Sequence, residues 1–123
     1  MNTIKIAAVT NDGITITSHF GLAQYYQVIV IEAGKVTAQE QRPKPHHGVH
    51  PDYHQAEHHD HKDMLAPILD CQVLLCGGMR APAHEKVEAA GLQAIMTSGK
   101  IDDAVQEYLN GNLVSDPRRI YTR

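Results

Sequence analysis

Nine of the 123 residues are histidine, and seven of them (His46, His47, His50, His54, His58, His59 and His61) fall within one short stretch. Neutral imidazole binds zinc, copper, iron and nickel, so these seven are the candidate metal ligands of the chain. Asp52 can cap a helix in which Gln55 completes a capping-box-like pair, and His54, His58 and His61 then share one face. That face continues into Leu65 and Ile68, which must point at a core. Pro67 interrupts the pattern, so a break near Asp63, or a helix that only begins there, reads equally well. The competing reading is a solvated loop whose histidines are polar filler, because His-rich tracts are only a compositional signal. No spacing here matches a closed zinc site of paired Cys-x-x-Cys units.

A second set of residues is sparser. Ser18-His19-Phe20-Gly21 offers an imidazole in a loop, where a lone histidine is ordinarily just polar. Cys76-Gly77-Gly78-Met79 closes an apolar run at the point where open α/β sheets bind ligands. A Gly-Gly turn before a helix start can present backbone N–H groups to an anion, and Met79 adds a soft thioether. Each has a plain structural reading as well: Gly-Gly turns are common, and Met and Cys usually pack. Cys71 and Cys76 sit five apart on one extended run and so face opposite ways, which excludes a shared metal or a mutual disulfide. Cys71 reads as a packing residue.

The elements that must position these groups follow from hydrophobic pattern. Residues 3–10 and 25–32 read as strands, with Asn11-Asp12-Gly13 and Ala33-Gly34 as turns. Residues 35–41 alternate weakly, as an exposed edge strand does, and Pro43 and Pro45 stop regular structure. Residues 73–76 form a buried strand, Pro82 starts a helix that Gly91 closes, and 93–97 is a short strand. Ile101, Ala104, Val105, Tyr108 and Leu109 make the apolar stripe of a helix ending near Gly111. Apolar strands alternating with helices imply a covered sheet, and the hairpin at Ala33-Gly34 makes that sheet mixed. The expectation is one α/β domain over residues 1–113, with a His-rich loop at 43–62 and a flexible polar tail at 114–123.

Size and charge narrow the function classes. A chain of 13.6 kDa buries one core without staples, and 42% hydrophobic content argues against overall disorder. A net charge of -3 is poor for binding nucleic acid or an anionic membrane surface. Neither a membrane-length apolar run nor a secretory leader is visible, and two cysteines suggest a reducing, cytoplasmic setting.

Taken in order, these pieces resemble the dinitrogenase iron–molybdenum cofactor biosynthesis family. The resemblance runs from about residue 4 to 113. It is carried by the opening strand, Asn11-Asp12-Gly13, Ser18-His19-Phe20-Gly21 with Ala23, the His-rich middle, Asp70-Cys71, Gly77-Gly78-Met79, Ala89-Ala90-Gly91, and Asp103-Ala104 through Gly111. It implies a ribonuclease-H-like, three-layer α/β/α domain whose five-stranded mixed sheet has one antiparallel strand, the second. It also implies a nitrogenase accessory factor-like carrier that binds an iron–molybdenum, iron–sulfur or related metal–sulfur cluster. His19, Phe20, Gly21, Cys76, Gly77, Gly78, Met79 and Arg80 are then the cofactor-binding residues. Arg80 replaces a usual glycine and Leu22 a usual basic residue; Arg80 would pair with an anionic sulfide cluster.

The sequence thus supports a non-catalytic carrier working with metallocofactor-assembly or recipient proteins. The alternative is a divalent-metal buffer or sensor that uses the His-rich stretch for zinc, nickel or copper. An enzyme ranks last, because no Ser-His-Asp order, phosphate loop or Cys-x-x-Cys is present. Neither nucleic acid nor a membrane is expected as a partner, and a homo-oligomer is compatible with the chain.

Overall fold

The computed structural model describes residues 3–44 and 64–121. All seven histidines of the candidate metal segment, the proposed capping pair Asp52 and Gln55, and most of the expected loop at 43–62 lie outside the described residues.

Strands β1 (Thr3–Thr10), β2 (Tyr25–Glu32), β3 (Lys35–Pro43), β4 (Val73–Cys76) and β6 (Gln93–Met96) form one sheet in the order β3-β2-β1-β4-β6. A short strand β5 (Met79–Arg80) precedes helix α1 (Ala81–Ala89), and helix α2 (Ile101–Leu109) follows β6. The element order matches the sequence pattern closely. β2 runs antiparallel to both β1 and β3, while β4 runs parallel to β1 and β6. The sheet is therefore mixed, with β2 alone reversed, and the fold is α/β.

Burial explains the pattern. β4 is apolar throughout and buried at every position, as a strand covered on both faces must be. β3 is exposed along nearly its whole length and lies at the sheet edge. The β2–β3 hairpin turns through Ala33 and Gly34, both at positive φ (54° and 78°), the handedness that matches strand twist. Met64, Leu65 and Ile68 are buried, so the apolar stripe does meet the core. Pro67 shapes that contact: the chain passes into a 3-10 turn over Ala66–Ile68 instead of continuing as an α-helix.

Two expectations need correcting. The residues after 114 are not a loose tail up to residue 121. A 3-10 turn at Pro117–Arg119 leads into strand β7 (Ile120–Tyr121), which pairs in parallel with β5. A polar composition suggested solvent, but backbone pairing to a short strand needs no apolar pattern. Cys71 also precedes β4 rather than belonging to it, so its relation to Cys76 is not one of strand alternation. Both thiols are free and buried.

Candidate functional site

The site forms where β1 and β4, adjacent and parallel, end side by side. Beyond β1 the chain is pinned by its own turn chemistry. The Asp12 carboxylate accepts the backbone N–H groups of Ile14 and Thr15 at 2.8 Å each, which holds its carboxyl below the ordinary range. The Thr10 hydroxyl donates to the Thr15 carbonyl at 2.7 Å and accepts the Gly13 N–H at 2.9 Å. Asn11 accepts the Gln24 N–H at 2.8 Å and so closes the far side of the loop. These bonds account for Asn11-Asp12-Gly13 as a scaffold.

The loop so fixed crosses the ends of the neighbouring strands. Thr17 N–H donates to the Val9 carbonyl, Gly77 N–H to the Thr17 carbonyl, and Phe20 N–H to the Gly78 carbonyl, each at 2.9 Å. Such close backbone approach requires two glycines. A Cβ on Gly77 would lie 2.7 Å from the Thr17 carbonyl oxygen, and one on Gly78 would lie 2.6 Å from that of Ser18. The Gly-Gly pair therefore docks two loops. Its first N–H is spent on Thr17 and is not available to an anion.

Between the docked loops lies a groove of about 560 Å³. His19, Phe20 and Gly21 line one side, and Gly78, Met79 and Arg80 another. Six of the eight residues singled out for cofactor binding thus share one surface. Gly77 supports the groove from behind. Cys76 is not on its wall: it is fully buried, donates its S–H to the Gly78 carbonyl, and burial pushes its thiol up to about 12. A neutral buried thiol is a packing group, not an exchangeable ligand.

The groove also takes residues that sequence reasoning did not select: Leu22, Met64, Pro82, Ala83 and Tyr121. Pro82 and Ala83 place the first turn of α1 on the groove, and no acidic residue occupies that turn to neutralise the partial positive charge of the helix start. No carboxylate lines the groove among the described residues. His19 and Arg80 each occupy a helix-flanking position without a side-chain capping bond, and neither has a side-chain hydrogen-bond or ion-pair partner among the described residues.

Beneath the groove, Lys44 is buried with its ammonium 4.6 Å from the centroid of the Phe20 ring and 5.9 Å from that of Tyr26. Burial pulls its ammonium down to about 8. Its setting between Pro43 and Pro45 gave no sign of a core position. Among the described residues no three His, Cys, Asp or Glu side chains converge on a common point. No helix among those residues is long and apolar enough to cross a membrane.

Comparison with known proteins matches this architecture to others. The crystal structure of PH0822 superposes with a TM-score of 0.72 at 22% identity, covering 92% of this chain and 96% of that one. The apo orange protein of Desulfovibrio gigas gives 0.67 at 21% identity, covering 91% and 92%. A Methanocaldococcus jannaschii protein, described provisionally as a dinitrogenase, gives 0.64 at 12% identity, covering 94% and 97%. At these identities the likeness is one of fold. No curated protein sequence matches the chain significantly. The sequence pattern of the dinitrogenase iron–molybdenum cofactor family matches residues 2–111, and the chain belongs to that family.

Proposed function

We propose that this chain is a non-catalytic carrier that holds an anionic metal–sulfur cluster, of iron–molybdenum or iron–sulfur type, in the groove between residues 19–22 and 78–80. The observation behind this reading is the groove's chemistry. It is open and largely apolar, it has no carboxylate among its described lining residues, and Arg80 and His19 stand on it with no side-chain partner among the described residues. Guanidinium suits a bulky, diffuse anion. Family membership supports a cofactor-related role.

The same reading takes the domain as a ribonuclease-H-like three-layer fold and the protein as cytoplasmic, working with cofactor-assembly or recipient proteins. It assigns no reaction. β1 and β4 bring no carboxylate to the site, whereas a magnesium-dependent nuclease needs several to converge.

Anaerobic purification followed by iron, molybdenum and acid-labile sulfide analysis tests the reading, together with titration of the cluster-free protein by tetrathiomolybdate. Stoichiometric sulfide with iron or molybdenum, and saturable thiometallate binding weakened by salt, are expected. Zinc or nickel without sulfide, and no thiometallate binding, would move the function to the His-rich stretch as a metal buffer.

A further inference from the structure

The match to the family's sequence pattern covers residues 2–111, and Tyr121, beyond that stretch, lines the groove. After α2 the chain returns to the end of the sheet and is fastened there. The Ser115 hydroxyl accepts the Met96 N–H, and Asp116 N–H donates to the Met96 carbonyl, both at 2.9 Å. The Asp116 carboxylate accepts the Arg118 N–H at 3.0 Å and fixes the turn into β7. Arg119 donates to the Gly77 carbonyl and the Ser98 hydroxyl at 3.2 Å each, tying the segment to the Gly-Gly turn. In β7, Ile120 pairs with Met79 and Tyr121 with Arg80.

Tyr121 completes this arrangement. Its hydroxyl lies 2.6 Å from the position a Cβ on Gly78 would take, so the phenol rests against bare backbone. The residue is 42% exposed, lines the groove, and its hydroxyl has no hydrogen-bond partner among the described residues. The β5–β7 ladder holds the ring in place, and its exposed O–H is a donor at the groove surface beside Arg80.

We infer that residues 115–121 form a strap that walls the groove, and that Tyr121 is a cargo-contacting residue whose phenol O–H donates to a sulfide or oxo ligand of the anionic cluster beside Arg80. This rests on the carrier reading above. The phenol complements Arg80 by adding direction to the guanidinium's charge. It also narrows the groove, so the strap selects cargo by size.

Two measurements separate the strap from the carrier reading. The first needs no cargo. Met79, 3% exposed and paired with Ile120, and Met64, 4% exposed and outside the strap, are followed by peptide mass after dilute peroxide. The double variant Arg119→Ala/Tyr121→Ala should raise the Met79 oxidation rate at least about tenfold relative to Met64; an unchanged ratio overturns the wall. The second is tetrathiomolybdate titration of the wild type, Tyr121→Phe and Tyr121→Ala. Tyr121→Phe should bind about fivefold more weakly at unchanged melting temperature, and Tyr121→Ala more weakly still. Equal affinity in all three overturns the Tyr121 contact while leaving the carrier intact. Failure of the wild type itself to bind overturns the carrier reading and the Tyr121 contact together, and the peroxide ratio still decides the wall.

Discussion

The cluster around Asp70 and the groove around Arg80 both hold cationic side chains, but they use them differently. At Asp70 the carboxylate receives Lys5 at 3.0 Å and Arg42 at 2.8 Å, and Arg42 also meets Glu40 and the Pro67 carbonyl. Every head in that cluster is engaged, and together they tie the end of β3 to the segment leading into β4. Around the groove, Arg80 and His19 engage no described side chain, although the backbone beneath them is tightly bonded. The difference separates charge that holds the fold from charge held ready for something else.

The largest expected effect tests whether the groove's backbone is as structural as the Asp70 cluster. Gly78→Val would drive side-chain atoms into the Ser18 carbonyl and the Tyr121 ring. It should cost about 3 kcal/mol, at the upper end for overpacking, and abolish thiometallate binding. Denaturant unfolding gives the first number. A loss under about 1 kcal/mol would mean that the two loops separate readily, which a rigid groove does not allow.

A matched pair of substitutions then addresses the comparison directly. Arg42→Met removes a half-buried ion pair and a hydrogen bond to backbone, and should cost about 1–2 kcal/mol. Arg80→Met should change stability by less than about 0.5 kcal/mol and weaken tetrathiomolybdate binding about tenfold. Equal stability losses in the two variants would erase the distinction between the sites.

Acid sharpens the same contrast. The Arg42 hydrogen bond, and after it that from Lys5, hold the Asp70 carboxyl well below the usual carboxylate range. A carboxyl whose folded pKa is depressed adds stability above its ordinary value and loses it as pH falls through the folded one. Asp70 is substantially exposed, so solvent screening keeps the contribution to about 1 kcal/mol at neutral pH. Wild type should therefore exceed Asp70→Asn by about that amount at pH 7, with the gap closing as pH drops below about 4. A gap independent of pH would place the effect in packing.

How legible this was in the sequence depended on the range of the signal. Apolar runs such as 73–76 and the stripe from Ile101 to Leu109 identified strands and a helix because burial dictates composition at those positions. The groove's two loops were legible as His-Phe-Gly and Gly-Gly-Met fragments, and adjacency of β1 and β4 suffices to bring them together. Cys76 looked as suited to a site as to a core, because strand ends carry both; its direction is settled only by packing. Lys44 and Tyr121 were not legible. A lysine between two prolines resembles loop, and a two-residue strand pairing across some forty positions has no periodicity to betray it.

The smallest effect concerns His19. It precedes the 3-10 turn Phe20–Leu22 in extended conformation and makes no side-chain capping bond there. Its imidazole is exposed, so the fold should not notice its removal: His19→Ala should unfold within about 0.5 kcal/mol of wild type. What it offers is one imidazole at the groove's edge, secondary to the charge of Arg80. Tetrathiomolybdate affinity should accordingly fall only about threefold, less than in Arg80→Met. If His19→Ala lost stability while binding normally, His19 would join Asp70 among the groups that hold the fold, and Arg80 with Tyr121 would be left to define the groove.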